Sequence, residues 1–321
     1  MAGAKETRDG VELSSLDGPA FDGAEATKRD LVDYLDAVAD RIVPALAQRP
    51  LSVVRVRPGQ QPFMQKNLPR YAPEWIARTS VWAQASQRDV AYALCDDRRT
   101  LLWFANQRAV EYHPTLLRVD EHHATQLVLD LDPPPGAAFG AAVAAARLVK
   151  GALDELGLAA AVKTSGAKGL HVIVPLAGEV PLDDAAAATR AVAARAAKLD
   201  PDVATTAFIK EDRDGKVFVD PTRAGGATLV AVYSPRARPG VPVSFPVSWD
   251  DLDAISPADF TVHTALAALG GGDPWRASLP APQPLPAELV AEGHTIPVPR
   301  VVAMHEGKRR RRAAARAAEE S

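Results

Sequence analysis

The segment Gln126–Gly136 reads Q-L-V-L-D-L-D-P-P-P-G and decides the fold of the chain. An apolar run, Leu127–Leu129, leads into an acidic pair, after which three prolines and a glycine end the segment. This pattern predicts a buried strand that ends in a turn. Because side chains alternate along a strand, Asp130 and Asp132 are expected on one face at the end of a rigid element.

Two carboxylates held on one face repel each other unless a cation neutralises them, and Mg²⁺ or Mn²⁺ binds such oxygen pairs, often together with substrate phosphates. The alternative is a solvated acidic pair. The D-x-D pattern occurs three more times, each in polar, turn-like or helix-start surroundings: Asp200/Asp202, Asp212/Asp214 and Asp251/Asp253. Only the pair at Asp130 follows an apolar strand, but the residues alone leave both interpretations open.

Composition limits the class of protein. The chain has 321 residues, of which 47% are hydrophobic, and these values predict a packed globular fold. The single cysteine, Cys95, excludes an internal disulfide framework or a cysteine zinc cluster and favours a reducing, intracellular compartment. The segment Met1–Gly18 lacks the apolar core of a signal peptide, and no apolar run is long enough to span a bilayer. The net charge of −3 does not by itself indicate a nucleic-acid binder.

Hydrophobic periodicity predicts alternating helices and strands. The predicted helices are 28–48, which follows an N-cap at Thr27, 138–156 and 183–199; the predicted strands are 51–56, 92–94, 101–104, 160–163, 169–175, 216–220 and 228–233. This order indicates an α+β fold in which helices flank a mixed or antiparallel sheet.

The segment Thr164–His171, T-S-G-A-K-G-L-H, is predicted to join two strands. Its two glycines allow a tight turn with exposed N–H groups, and Ser165 and Lys168 add hydrogen-bond donors suited to a phosphate group. The spacing is not that of a Walker loop. Taken alone, the segment is better explained as a polar hairpin turn than as a phosphate-binding loop.

Further candidates follow along the chain. Asp220 ends an apolar strand, as Asp130 does, and would complete a carboxylate set for two metal ions. Arg236 and Arg238 lie two residues apart beside turn residues and suit phosphate, and His113 precedes the acidic strand. Three strand-end carboxylates with several phosphate-binding side chains are what nucleotidyl transfer requires.

Six motifs then occur in a fixed order and resemble the polymerase domain of bacterial ligase D, within the archaeo-eukaryotic primase superfamily. They are E-Y-H-P at 111–114, L-D-L-D-P-P-P-G at 129–136, T-S-G-A-K-G-L-H-V at 164–172, F-V-D at 218–220, the long run from Gly226 to Ser244, and S-W-D-D-L at 248–252. The resemblance extends from about Leu16 to Trp275. The chain is similar to the stand-alone primase-polymerase members of this group. The resemblance implies a primase-polymerase catalytic domain over 16–297, while the polar composition of 1–15 predicts a disordered arm and the charge of 298–321 a basic tail.

The resemblance also implies residue roles. Asp130, Asp132 and Asp220 would be catalytic carboxylates that bind two Mn²⁺ or Mg²⁺ ions. The nucleotide-binding set would be His113, Ser165, Lys168, His171, Arg213, Arg236 and Arg238. The DNA-binding set would be Phe63 and Lys66 at the template and downstream end, and Lys28 at a downstream 5′-phosphate.

Several positions depart from the family pattern. Met64 replaces an aromatic residue, which weakens stacking on bases. Gly18 replaces a lysine of the 5′-phosphate pocket, and Pro221 and Ala224 alter the loop after the third carboxylate. These changes concern recognition of the downstream end more than catalysis.

We therefore expect a template-dependent nucleotidyltransferase that extends a primer 3′ end with NTPs or dNTPs at short gaps or broken ends. The resemblance implies DNA, Ku and a separate ligase as partners, no membrane, and a cytoplasmic, nucleoid-associated location. The alternative is a DNA end-binding or gap-binding protein with little or no synthesis. A metal-dependent phosphodiesterase would leave Ser165, Lys168 and the arginine pair unexplained. The tail Lys308–Arg312 would attract phosphate backbones, unless it is simply solvated.

Overall fold

The computed structural model describes residues 6–57, 59–83, 87–223 and 227–298. The chain divides into two compact units, each built from segments that are distant in sequence. Unit 1 comprises Met1–His123, Ala161–His171 and Gly226–Pro280, and unit 2 comprises Ala124–Ala160, Val172–Gly225 and Ala281–Ser321. Residues of the range 16–297, which was predicted as one catalytic domain, belong to both units. Apart from Val298, the basic tail expected over 298–321 lies outside the described residues.

A short hairpin begins unit 1. Glu6–Arg8 (β1) and Val11–Leu13 (β2) pair antiparallel, and the alternation of V-E-L places Val11 and Leu13 in the core, 5% and 2% exposed. The expectation of a disordered arm over 1–15 is therefore wrong for residues 6–13, where two apolar side chains are buried and Arg8 also pairs with Asp33 at 2.6 Å. Residues 1–5 lie outside the described range.

Three helices follow in unit 1, and they correct two predictions. The helix expected over 28–48 is two helices, Lys28–Ala37 (α1) and Ala39–Leu46 (α2), which meet at Val38. The segment 101–104, expected as a strand, lies inside a third helix, Arg98–Asn106 (α3). The side chain of Asp97 accepts a hydrogen bond from the Thr100 N–H at 2.7 Å, and this N-cap starts the helix that a short apolar run did not reveal.

The first segment of unit 1, Met1–His123, also contains a five-stranded sheet. Its strands are Leu51–Arg55 (β3), Phe63–Gln65 (β4), Arg78–Ala83 (β5), Arg88–Ala93 (β6) and Ala109–Pro114 (β7). Strands β4, β3, β6 and β5 are neighbours in that order, and β7 pairs antiparallel with β3, so that Ser52 lies opposite His113.

The second sheet has six strands: His123–Asp132 (β8), Ala161–Thr164 (β9), Leu170–Pro181 (β10), Ala204–Thr205 (β11), Val217–Asp220 (β12) and Pro246–Val247 (β13). Their order is β11-β12-β8-β10-β9-β13. Strand β12 runs antiparallel to β8 and parallel to β11, so the sheet is mixed. The predicted α+β class with a mixed sheet is confirmed.

The remaining helices are Phe139–Asp154 (α4), Leu182–Leu199 (α5), Ala265–Leu269 (α6), Pro274–Ser278 (α7) and Ala287–Thr295 (α8). In unit 2, α5 packs against both α4 and α8. The backbones of α5 and α8 approach so closely that a Cβ atom on Gly293 would lie 1.9 Å from the carbonyl oxygen of Ala187. Only glycine permits this contact.

The segment 228–233, expected as a strand, forms an irregular buried chain. Its N–H groups still find partners, because Leu229 donates to Pro114 O, Ala231 to Tyr112 O and Tyr233 to Ser244 O. Tyr233 adopts a φ of 66°, which interrupts an extended strand. The backbone hydrogen bonds are therefore made without a regular ladder.

Candidate active site

The three predicted carboxylates lie at the ends of two paired strands in unit 2. Asp130 is directly opposite Asp220 in the antiparallel register of β8 and β12, and Asp132 is opposite Phe218. Directly opposite residues have Cβ atoms about 5 Å apart and share a face of the sheet. Leu129 and Leu131 point to the other face and are fully buried. The alternation that the sequence predicted therefore places all three carboxylates on one face.

Arg223 joins two of these carboxylates. Its Nη2 atom donates to Asp130 Oδ2 at 2.8 Å, and its Nε atom lies 3.6 Å from Asp220 Oδ2. The Asp220 Oδ1 atom accepts from the Thr222 N–H at 2.8 Å, which fixes the turn that brings Arg223 back over the strand end. Sequence reasoning missed Arg223, although its place three residues after Asp220 was a usable signal.

The donor set suits hard divalent ions. Asp130, Asp132 and Asp220 supply only carboxylate oxygens, and a guanidinium already lies against two of them as a counter-charge. Over the described ranges, however, no group of three or more His, Cys, Asp or Glu side chains has the arrangement of a formed metal centre. The types of these three residues suit a divalent ion, but their present arrangement does not form its site, and Arg223 would have to give up its contacts before an ion could bind Asp130 and Asp220.

Arg213, predicted at the nucleotide, is held within unit 2 by other groups. Its guanidinium stacks on the Phe218 ring at 3.9 Å, and its Nε and Nη2 atoms donate to the carbonyl oxygens of Ala207 and Phe208. This arrangement supports the strand that ends at Asp220, since Phe218 belongs to the same strand.

In unit 1, Glu111 brings together two of the predicted nucleotide-binding residues. His113 Nε2 donates to Glu111 Oε2 at 2.8 Å, and Arg236 Nε lies 3.1 Å from the same oxygen. The other oxygen of Glu111 accepts from the Ala237 N–H at 3.0 Å. Glu111 and His113 lie two apart on β7, so strand alternation puts them on one face.

The buried charge of Glu111 is stabilised by these partners. Burial is the largest influence and by itself would raise the pKa of Glu111, but the hydrogen bond from His113, the charge of Arg236 and the Ala237 N–H together lower the pKa from 4.5 to about 2. Glu111 is therefore an anion that orients His113 with its proton on Nε2. The motif E-Y-H-P contained this residue, but sequence reasoning gave it no role.

The loop between β9 and β10 is shaped by one glycine. Gly166 has a φ of +67°, and a Cβ atom there would lie 2.7 Å from Arg236 Cγ and 2.8 Å from Ser244 N. Arg236 Nη1 donates to the carbonyl oxygen of Ser165, and the Ser165 hydroxyl accepts from the Ala167 and Gly169 N–H groups, both at 3.2 Å. The close approach places Ser165 and Arg236 side by side.

Lys168 and Arg238 line one pocket of about 490 Å³ in unit 1. Both side chains are exposed, and Glu25 also lines the pocket. Two cations around a cavity of this size make a suitable environment for a phosphate-bearing ligand.

His171, the last residue of the glycine-rich motif, is 3% exposed at the start of β10. Its Nδ1 atom lies 2.7 Å from Nζ of Lys163, which is itself 2% exposed. Sequence reasoning did not select Lys163, because a lysine in a predicted strand gives no sign that it is buried.

The three predicted DNA-binding residues lie in unit 1. Phe63 is on β4 with the Arg57 guanidinium 5.3 Å from its ring centroid, and Lys66 is exposed just beyond the strand. Lys28 is buried and donates to Ser14 O at 2.5 Å and to Asn106 Oδ1 at 2.7 Å. Burial, aided by the charge of Arg108, lowers the pKa of Lys28 to about 8.

Comparison with known proteins identifies the family. The model of the LigD primase-polymerase domain matches residues 27–275. The polymerase domain of Mycobacterium tuberculosis ligase D, solved in complex with DNA, superposes with a TM-score of 0.76 at 32% identity and covers 84% of this chain and 97% of that one. The chain belongs to the LigD primase-polymerase domain family, so the resemblance is confirmed.

Two curated relatives are named as non-homologous end joining proteins. The bifunctional LigD protein of Bacillus subtilis is 31% identical over 268 residues, which are 82% of this chain and 43% of the relative. The multifunctional LigD protein of Mycobacterium bovis is 34% identical over 265 residues, 79% of this chain and 34% of the relative. The chain therefore spans less than half the length of these relatives. Within its described residues, no helix has the length and apolar character needed to cross a membrane.

Proposed function

We propose that this protein is a template-dependent nucleotidyltransferase that extends a primer 3′ end with NTPs or dNTPs at short gaps or broken ends during DNA repair. The observation that supports this proposal most directly is the register of β8 and β12, which puts Asp130 opposite Asp220 with Asp132 on the same face. Family membership supports it independently, because polymerase domains of this family generally depend on divalent metal ions.

The carboxylates would hold two Mn²⁺ or Mg²⁺ ions. Bound ions would activate the attacking 3′-hydroxyl and neutralise charge on the leaving pyrophosphate. Asp130 and Asp220 would exchange their contact with Arg223 for the metal. The released guanidinium would then be available to an anionic group of the nucleotide.

The residues clustered in unit 1 would bind the triphosphate. Arg236, held by Glu111, and the Ser165 loop would supply donors fixed before the ligand arrives, whereas His113 would reach the triphosphate by exchanging its Nε2–H bond to Glu111 for one to the ligand. Lys168 and Arg238 would add charge from the pocket that they line. Prepositioned donors stabilise developing negative charge without reorganisation during the reaction.

The nucleic acid would contact the surface around β4. Phe63 would stack on a base, and Lys66 would contact a phosphate. Lys28 would reach a 5′-phosphate only by giving up its contacts with Ser14 and Asn106. DNA, Ku and a separate ligase are the proposed partners, and a cytoplasmic, nucleoid-associated location follows from this function.

Primer extension tests the proposal. We expect the double variant Asp130→Ala/Asp132→Ala to lose extension of a labelled primer across a short gap in Mn²⁺, with its circular dichroism spectrum unchanged. The matched control is Asp200→Ala/Asp202→Ala, which removes a pair with the same spacing just after α5, outside the six motifs, and should extend normally. Unchanged extension by the first variant would refute the catalytic assignment.

The same assay distinguishes the alternative functions. A binding protein with little synthesis would retain the gapped DNA and release no pyrophosphate, whereas a phosphodiesterase would shorten the labelled strand. Comparison of substrates with and without a downstream 5′-phosphate then tests Lys28 and Lys66. Stimulation by the phosphate supports a role in end joining, and indifference supports extension at other primer ends.

A further inference from the structure

Lys163 is a buried lysine whose side-chain nitrogen lies within hydrogen-bond distance of three groups in unit 1. Its Nζ atom lies 2.7 Å from His171 Nδ1, 2.6 Å from Ser244 Oγ and 3.1 Å from Val230 O. Lys163, His171 and Ser244 are 2%, 3% and 0% exposed. Water therefore has little access to the bond between Lys163 and His171, and the bond determines which imidazole nitrogen carries the proton.

The neighbouring groups define most of the proton positions. Ser244 Oγ donates its own proton to Thr164 O at 2.7 Å, so it can only accept from Lys163. Val230 O is a carbonyl oxygen and can only accept. Two Lys163 protons are thereby assigned. At His171, either a third ammonium proton points to Nδ1, or a neutral amine accepts a proton from Nδ1.

The ammonium form satisfies all three contacts as donors. An alkyl amine is a stronger base than an imidazole, so a proton shared between Lys163 Nζ and His171 Nδ1 resides on the amine. A positive charge 2.7 Å away further opposes a second proton on the imidazole ring.

We propose that Lys163 is a positioning residue whose ammonium donates to Nδ1 of His171 and fixes this histidine as the neutral tautomer with its proton on Nε2. The consequence for nucleotide binding rests on the proposed function, in which His171 contacts the triphosphate. In that role His171 presents one N–H donor of defined direction, and binding need not select among tautomers.

The tautomer itself can be measured without any assay of activity. Long-range ¹H–¹⁵N spectra of the uniformly labelled, full-length protein at neutral pH distinguish a protonated ring nitrogen from an unprotonated one. We expect Nδ1 of His171 to be unprotonated and Nε2 to be protonated. Loss of the resonances in His171→Asn assigns them, and the exposed His263 is an internal reference. A protonated Nδ1 in the native protein overturns the proposal.

Variants of Lys163 connect the tautomer to binding. Lys163→Met removes the donor while keeping an unbranched apolar chain, and should raise the nucleotide KM by about threefold to tenfold, the effect of one lost hydrogen bond. Lys163→Gln retains an N–H donor and should restore both the Nε2–H tautomer and much of the affinity, whereas kcat should change little in both.

The controls separate this inference from the proposed function. If Lys163→Met does not fold, the spectrum of the native protein still decides the tautomer. If the native protein shows the expected tautomer but no extension, the proposed function fails and the Lys163–His171 arrangement stands. Equal KM values for the native protein and a folded Lys163→Met variant would refute the positioning role.

Discussion

Replacement of Glu111 by glutamine tests how the buried carboxylate supports its cationic neighbours. The pKa of Glu111 is lowered from 4.5 to about 2, a difference that corresponds to roughly 3 kcal/mol of folding free energy at neutral pH. Because the folded-state pKa is the lower one, this contribution is present above pH 4.5 and is lost as the pH falls towards 2.

Urea unfolding of the native protein and Glu111→Gln at pH 7 and pH 3 measures this contribution. We expect the difference in unfolding free energy between the two proteins to shrink by roughly 2 kcal/mol on acidification, because only roughly 1 kcal/mol of the contribution remains at pH 3. The exposed residue Glu74 provides the control Glu74→Gln, whose difference from the native protein should be equal at both pH values. A difference for Glu111→Gln that does not change with pH would refute the reasoning.

Four further predictions concern other parts of the chain. Gly166→Ala should destabilise the protein by about 2–4 kcal/mol in urea unfolding, because its φ of +67° and its 2.7 Å approach to Arg236 leave no room for a Cβ atom; full stability would show that the loop can move. Arg223→Gln should tighten Mn²⁺ binding in calorimetry by about threefold to tenfold, since a competing ion pair of about 1 kcal/mol is lost; weaker binding would mean that Arg223 supports the metal. The unfolding free energy of the native protein should rise by roughly 3 kcal/mol between pH 8 and 10.5, because over that window the unfolded state holds the Lys28 proton more tightly than the folded state. Lys28→Met should abolish this rise, and its persistence would assign it to another group. Removal of residues 299–321 should reduce the salt dependence of DNA binding, and an unchanged slope would indicate a solvated tail.

Strand alternation allowed the sequence to predict the carboxylate face. An apolar run followed by Asp130 and Asp132 requires no knowledge of distant residues, because side-chain direction in a strand has a period of two. The same local logic indicated the strand that ends at Asp220 and the capped start of α1. It failed at 101–104, where four apolar residues fit a strand or a helix and the cap at Asp97 decided the outcome.

Strand and helix periodicity could not predict hydrogen bonds between residues that are distant in the sequence. Arg223 contacts Asp130 across 93 positions, Arg236 meets Glu111 from another segment of unit 1, and Lys163 donates to Ser244 across 81 positions. The local sequence does not show which groups these side chains contact, because the partners lie on segments that only the fold brings together.

The sequence by itself determined the α+β class, the family motifs and the common face of the carboxylates, since each depends on local periodicity or on residue identity. Only the tertiary structure decided which charges oppose one another. It placed Arg223 against two carboxylates, made Glu111 a buried anion and set Lys163 against His171. The physical reason is that pKa, tautomer and counter-ion depend on desolvation and on neighbours within a few ångströms, and those neighbours come together only when the chain folds.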